Sequence, residues 1–201
     1  MIIWRAVQKL NRLVFTTREI AVLTGMSLSS AAQGLARLEK QTILKKVMRG
    51  LWALAEDRRF SALMVVPFLN PSHQSYVSFI SALHLYGFIS QIPQTIAVAS
   101  TAHSKKIITS VGVYSVHQIA PEFFSGFRWH ESRHYLIATP EKALVDCLYI
   151  SSRRGRNYLS FPELELPRGF KRKEVVIWAK SIRAPGIRKS VLKKLQAIFH
   201  P

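Results

Sequence analysis

The chain has 201 residues, 48% of them hydrophobic, and a formal net charge of +18. This hydrophobic content excludes a disordered chain and suits one or two compact domains. The positive charge favours a polyanionic partner, because each phosphate that a basic side chain neutralises releases counterions and adds affinity. Ribosomal surfaces and anionic membranes would also fit the charge alone.

Basic residues are concentrated toward both ends of the chain. Residues 1–55 hold nine Lys or Arg against two acids, residues 56–135 hold six against four, and residues 136–201 hold fourteen against five. The one cysteine, Cys147, excludes an intrachain disulfide, and its apolar neighbours predict a buried thiol in a helix. With no signal peptide or membrane-spanning run visible, we expect a soluble, cytoplasmic protein that does not bind a membrane.

Residues 15–55 predict a helix, a sharp turn, a second helix and a basic hairpin in immediate succession. Thr17 can cap the first of these helices, and Gly25 can end it with a positive φ. Ser27 can cap the second, which the apolar spacing predicts over residues 28–41. This order is typical of a winged helix-turn-helix. The apolar positions of a preceding helix, which would pack behind the other two, are Ile3, Ala6, Val7, Leu10 and Leu13.

The second helix of this segment has an apolar and a polar face. The apolar positions are Leu28, Ala31, Ala32, Leu35 and Leu38. The polar positions, which can reach bases or phosphates, are Ser29, Ser30, Gln33, Arg37 and Lys40. Gly34 costs the helix about 1 kcal/mol relative to Ala, which predicts close approach to a packed neighbour or to a sugar-phosphate backbone.

The hairpin predicted over residues 43–54 has residues 48–50 at its tip. Its basic side chains would meet the phosphate backbone or the adjacent minor groove, as those of a wing do. Together with the polar face of the second helix and the two helix starts, they complete the predicted DNA-binding set. That set is Thr17, Arg18, Ser27, Ser29, Ser30, Gln33, Arg37, Lys40, Lys45, Lys46 and Arg49.

The rest of the chain predicts a second, mixed domain. Ser78 can cap a helix that ends at Gly87, and Thr139 can cap another that runs to about Tyr149. Strand candidates lie at residues 95–100, 107–108, 111–116 and 135–137, and basic helical segments at 171–182 and 187–199.

These elements predict an α+β protein with an N-terminal winged helix-turn-helix followed by a mixed α+β C-terminal domain. The predicted divisions are a DNA-binding domain at residues 1–55, a connector at 56–74 and the C-terminal domain at 75–201.

Two segments of the predicted C-terminal domain resemble the body of AbiEi-type antitoxins, the antitoxin and transcriptional-regulator half of type IV toxin-antitoxin systems. They are YVSFISALHLYGFISQIPQTIAVAS at residues 76–100 and ATPEKALVDCLYI at residues 138–150. The most specific part is the run from Thr139 to Asp146, and the resemblance spans residues 10 to 160. The chain is short for that family, and its last forty residues match no part of it.

The resemblance implies an autorepressor that binds double-stranded DNA, namely inverted repeats in its own promoter, and a nucleotidyltransferase-like toxin as partner. It also implies roles for individual residues by their position. The recognition helix would use Ser29, Ser30, Gln33 and Arg37, and the wing would use Lys45, Lys46 and Arg49.

Two patterns raise enzymatic alternatives. The segment His130-Glu131-Ser132-Arg133-His134 matches HExxH, which binds zinc when it lies on a helix beside a third ligand. Its flanks are β-rich, and in a strand the two histidines would be about 13 Å apart, too far to share a metal. Glu163 and Glu165 alternate between prolines, which favours a solvated face over the paired acids of a nuclease. We therefore expect no enzyme, no metal and no cofactor.

Two other binding functions remain open. A protein-binding antitoxin module could dock directly on a partner toxin through its basic C-terminal domain, with DNA binding secondary. RNA binding usually requires exposed aromatic side chains for stacking. The tryptophans of this chain are more easily explained as core or interface residues, and they are Trp4, Trp52, Trp129 and Trp178.

Overall fold

The computed structural model describes residues 2–132, 134–153 and 163–199. N-terminal helices with a small sheet are followed by a mixed sheet and further helices. This α+β architecture confirms the predicted fold class. None of the helices in these ranges is long and apolar enough to cross a bilayer.

The chain divides into two compact units. The first contains Met1–Phe68 together with Ile108–Gly112, and the second contains Leu69–Ile107 and Val113–Pro201. The predicted connector, residues 56–74, is divided between them, and the first unit takes a short segment from far along the chain.

The first unit is a winged helix-turn-helix. Its three strands form an antiparallel sheet in the order β1-β3-β2, and β2 and β3 form a hairpin closed by Arg49 and Gly50, here called the wing. Only β1 was not predicted. The elements are α1 (Ile2–Leu10), β1 (Val14–Thr16), α2 (Thr17–Thr24), α3 (Leu28–Lys40), β2 (Lys45–Met48) and β3 (Leu51–Ala53).

Local hydrogen bonds set the ends of α2 and α3. Thr16, not Thr17, caps α2: its hydroxyl accepts from the backbone of Glu19, whose carboxylate accepts from the backbone of Thr16 in return. The predicted cap was wrong by one residue, because Thr17 is already helical. Gly25 ends α2 with a φ of 68°, and Ser27 caps α3 through the backbone of Ser30, both as predicted.

The core of the first unit forms where α1, α2 and α3 pack on the small sheet. Its central side chains are fully buried: Phe15, Ile20, Ala31 and Leu35. Gly34 lies against α1, since a Cβ at this position would come 2.7 Å from Cγ1 of Ile3. The predicted close approach is therefore to a packed helix.

Two apolar positions predicted for helices of the first unit differ from the other members of their sets. Leu13 is buried but lies beyond the end of α1, just before β1. Leu28 begins α3 and is 52% exposed, so it is not covered as the apolar positions Ala31 and Leu35 are. Helical spacing gives the face of a residue but not whether a neighbouring helix extends far enough to cover it.

A 3₁₀ helix at Ala62–Phe68, with Met64 and Val65 buried, occupies much of the predicted connector.

The second unit is built on a mixed sheet with strand order β6-β7-β5-β4-β9-β8. The predicted strands at residues 95–100, 107–108, 111–116 and 135–137 each overlap an observed strand. The strand β8 coincides with the β-rich flank before the HExxH segment, whereas β4 was missed. The elements are β4 (Ser75–Val77), α4 (Phe79–Leu85), β5 (Ile96–Ser100), β6 (Lys105–Thr109), β7 (Gly112–Gln118), a 3₁₀ helix (Pro121–Phe123), β8 (Phe127–Trp129), β9 (Leu136–Ala138), α5 (Pro140–Arg153), α6 (Arg172–Lys180) and α7 (Pro185–Phe199).

Helix α5 lies at the centre of the second unit and packs against α4, α6 and α7. Every residue from Glu141 to Ser151 is buried, including the predicted buried thiol of Cys147. Thr139 accepts a hydrogen bond from the backbone of Lys142, as expected of a residue that caps this helix. Ser78 does not cap α4 with its side chain, because its hydroxyl donates to Asp146 instead.

The HExxH segment joins the antiparallel strands β8 and β9, and Arg133 within it lies outside the described residues. The backbone of His130 donates to the carbonyl of Tyr135, and their rings stack with centroids 4.6 Å apart. The predicted non-helical setting is confirmed, although His130 and His134 lie in the connection and not in a strand. Among described residues, no group of three or more His, Cys, Asp or Glu could hold a metal ion.

Candidate nucleic-acid interface

The exposed face of α3 carries the polar side chains that the sequence predicts. Ser29, Ser30, Gln33, Arg37 and Lys40 are all exposed, while the opposite face is buried in the core of the first unit. Within the described part of the chain, no ion pair joins Arg37 or Lys40 to an acid. Both cations are therefore available to a polyanion.

The wing is held to α3 by a backbone contact. Lys46 donates its backbone N–H to the carboxylate of Glu39 on α3, at 3.1 Å. Lys45, Lys46 and Arg49 are exposed, and the ammonium of Lys46 lies 5.8 Å from the centroid of the Trp52 ring. A bulge between Lys46 and Met48 shifts the register of the hairpin. The basic side chains of the wing thus extend from a strand whose backbone is fixed to the helix.

The turn at Ile108–Gly112 also supports the wing. Ser110 donates its hydroxyl to the carbonyl of Lys46 at 2.6 Å and its backbone N–H to the carbonyl of Val47 at 3.2 Å. The turn is closed by Thr109, whose hydroxyl donates to the carbonyl of Gly112. Sequence reasoning missed this support, because no local pattern links residues that are 64 positions apart.

Both acids in residues 1–55 are engaged in local interactions. Glu19 completes the α2 cap and pairs with Arg12, with a nitrogen-to-oxygen distance of 2.7 Å. Glu39 accepts from the wing, as described above. The exposed charge of the α3 and wing surface is consequently dominated by Lys and Arg, which suits a polyanionic ligand.

One member of the predicted DNA-binding set does not belong to this surface. Thr17 is only 8% exposed, and its hydroxyl accepts a hydrogen bond from the indole N–H of Trp52 at 2.8 Å. Its backbone N–H donates to the carbonyl of Gly50. Both polar groups are used to join α2 to the wing, so Thr17 is structural. Arg18 and Ser27 are exposed at the starts of α2 and α3.

The first turn of α3 combines polar and apolar groups. Ser27 donates its hydroxyl to that of Ser30 at 2.9 Å and accepts from the backbone N–H of Ser30 at 3.1 Å. Beside this pair, Leu28 exposes half of its surface. Its position at the start of a helix was readable from the sequence, but its exposure was not.

A second polar cluster, here called the buried lysine cluster, lies inside the second unit. The ammonium of Lys142 donates to Asp146 and, at 3.1 Å, to the hydroxyl of Tyr76. Asp146 also accepts from Tyr76 at 3.1 Å and from Ser78 at 2.7 Å, and all four residues are fully buried. The Lys142 ammonium lies 3.9 Å from the centroid of the Phe123 ring.

Burial controls the protonation equilibria of this cluster. It lowers the pKa of Lys142, although the nearby carboxylate of Asp146 opposes the change. Burial and the same carboxylate raise the pKa of Tyr76 and of Cys147. Since these groups are enclosed by protein and satisfy one another, the run from Thr139 to Asp146 contributes an internal network rather than a surface site.

The remaining sequence candidates do not form a site with these groups. Glu163 and Glu165 are exposed and lie outside any helix or strand. Of the four tryptophans, Trp52 is buried, which fits the predicted core position. Trp129 is 58% exposed, so it is not a core residue.

Comparison with known protein families gives a match to the N-terminal part of the chain. Residues 1–62 match the family described as Firmicute plasmid replication protein (RepL). The matched stretch includes every helix and strand of the winged helix-turn-helix, from α1 to β3. No curated protein matches the chain.

Proposed function

We propose that this protein binds double-stranded DNA in a sequence-specific manner, with α3 in the major groove and the wing on the adjacent backbone. The observation that carries the proposal is the exposed surface of α3 and the wing, in which a polar helix face lies beside exposed basic side chains. A helix of this kind fits the width of the major groove, and basic side chains beside it fit the phosphates.

The chemistry of the side chains suggests a division of roles. Gln33 and Arg37 can each form two hydrogen bonds with a base edge, Gln with adenine and Arg with guanine, so they are the proposed base-reading residues. Lys45, Lys46 and Arg49 are single cations on the wing and are the proposed phosphate contacts. Arg18 and Ser27 stand at helix N-termini, where backbone N–H groups also favour phosphate.

The DNA target that we propose is the promoter of the protein's own operon, which makes the protein a transcriptional autorepressor. This assignment, and the further role as antitoxin to a nucleotidyltransferase-like toxin, rests on the resemblance of residues 76–100 and 138–150 to AbiEi-type antitoxins. The match of residues 1–62 to a plasmid replication protein family favours a second candidate, in which the target is a plasmid replication origin.

The first experiment measures binding of the full chain to the DNA upstream of its own gene and to a scrambled duplex, across a series of salt concentrations. Affinity for both should fall with salt, because counterions are released, but a large preference for the upstream DNA should persist at about 150 mM salt. A parallel loss of both complexes would contradict sequence-specific binding.

The two candidate targets are separated by the location of the preferred sequence. Selection from a random duplex library with the full chain identifies that sequence without assuming its source. Occurrence in the upstream promoter, with repression of a reporter, supports the autorepressor. Occurrence in a plasmid origin, with loss of plasmid maintenance when the protein is removed, supports the replication function.

A further inference from the structure

The first turn of α3 presents a large apolar side chain where a recognition helix meets the bases. Leu28 is the first residue of α3 and is 52% exposed, whereas Ala31 and Leu35, further along the same apolar face of the helix, are fully buried. The fold therefore gains only part of the free energy that burial of this leucine would provide. Single exposed leucines are common on protein surfaces, so the position of Leu28 carries the inference, and not its exposure alone.

The polar groups beside Leu28 are partly used within the protein. The hydroxyl groups of Ser27 and Ser30 hydrogen-bond to each other, and Ser27 also accepts from the Ser30 backbone. The first turn thus offers a base pair an apolar contact from Leu28 and a hydroxyl from Ser29. N-terminal residues of a recognition helix are those that contact base edges in this class of domain.

Only one natural base presents an apolar group in the major groove of unmodified DNA: thymine, through its C5 methyl. We propose that Leu28 is a specificity-determining residue that packs on a thymine methyl, so that the bound sequence contains a thymine opposite the first turn of α3. This inference rests on the proposed DNA-binding function and adds one base preference to it.

The test uses the duplex selected by the full chain and replaces each thymine in turn by deoxyuracil. This replacement removes the methyl group and leaves the hydrogen-bonding edges unchanged. At one position, the wild-type protein should bind the deoxyuracil duplex about fourfold more weakly, the change that corresponds to exposing one buried methyl group.

Two variants assign the effect to a side chain. Leu28→Ala should bind the thymine and deoxyuracil duplexes equally, with only a small loss in melting temperature, because half of the leucine is exposed. Leu23→Ala is the matched control, since Leu23 is 44% exposed on α2, and it should keep the fourfold difference.

The outcomes separate this inference from the proposed function. If the wild-type protein binds the selected duplex but no thymine is sensitive to loss of its methyl, the role of Leu28 is overturned while DNA binding stands. The role of Leu28 is likewise overturned if Leu28→Ala still binds the thymine duplex more tightly than the deoxyuracil duplex. If the wild-type protein selects no duplex at all, the proposed function fails, and this inference fails with it.

Discussion

At the scale of single residues, the most demanding environment belongs to Lys142 and Asp146. Both side chains have no exposed surface, and their charges are compensated by each other, by two hydroxyl groups and by an aromatic ring. Removing two ions from water costs several kcal/mol each, so such a pair is stable only while every partner remains. The pair joins two adjacent turns of α5 and connects this helix, through Tyr76 and Ser78, to the end of β4.

We expect Asp146→Asn to lower the free energy of unfolding by about 3–5 kcal/mol, because it leaves the Lys142 ammonium buried without a counter-charge. Chemical denaturation followed by circular dichroism measures the change. The exposed pair Lys171–Glu174 provides a control with the same kinds of charge, and Glu174→Gln should change the free energy of unfolding far less, because solvent screens an exposed pair. Equal losses in the two variants would show that burial does not govern the effect.

At the scale of elements, α3 and the wing form one exposed surface, to which we assign two proposed tasks, base reading and phosphate contact. Glu39 on α3 fixes the backbone of β2, and Trp52 on β3 fixes the start of α2 through Thr17. The position of the wing relative to the helix is therefore set by hydrogen bonds that a single substitution can test separately from the DNA contacts.

We expect Arg37→Ala to cost about 1–3 kcal/mol of binding free energy at one base position, because a guanine would lose a two-bond contact. Lys45→Ala should weaken binding to all duplexes alike and lower the salt slope by about one, because it removes a single phosphate contact. Titrations of each variant against duplexes with single base changes, at several salt concentrations, measure both effects.

Lys9→Ala is the control for this pair of variants, since Lys9 is exposed on α1, outside the predicted DNA-binding set. It should change neither the base preference nor, beyond a small general charge effect, the affinity. If Arg37→Ala weakened every duplex equally, Arg37 would be a phosphate contact and base reading would depend on Gln33 and the first turn of α3.

Local sequence signals predicted those elements that local physics determines. The cap of α3, Gly25 at the end of α2, the hairpin and the start of α5 all follow from residues within a few positions of each other. The short strands β1 and β4 were not predicted, and they exist because neighbouring strands pair with them. The candidate site followed the same rule: its exposed polar face was predicted, whereas the burial of Thr17 and the support from Ser110 depend on distant residues.

At the scale of the whole molecule, stability should depend on pH in the alkaline range. The thiol of Cys147 has an ordinary pKa of 9.0, and burial raises it well above this value in the folded protein. Between pH 9 and the raised value, the unfolded chain loses this proton while the folded protein keeps it. The unfolded state is therefore favoured progressively as the pH rises.

We expect the free energy of unfolding to fall more steeply between pH 9 and 10 in the wild-type protein than in Cys147→Ala, with a difference that approaches about 1.4 kcal/mol per pH unit. Tyr76 has an ordinary pKa of 10.0 and contributes mainly above this window. The lowered pKa of Lys142 is common to the wild-type protein and Cys147→Ala, so its effect on stability cancels in the comparison. Parallel pH profiles would mean that the thiol titrates alike in the folded and unfolded states.

The turn at Ile108–Gly112 makes the winged helix-turn-helix discontinuous in sequence. Its Ser110 donates to two consecutive carbonyls of the wing strand, yet it is encoded some sixty positions downstream, between two strands of the larger sheet. A fragment cut after Phe68 would keep every predicted DNA contact and still lose the groups that satisfy these carbonyls. Transplanting the DNA-binding region into another protein would therefore require grafting this turn as well, so the recognition module is defined by contacts and not by a stretch of chain.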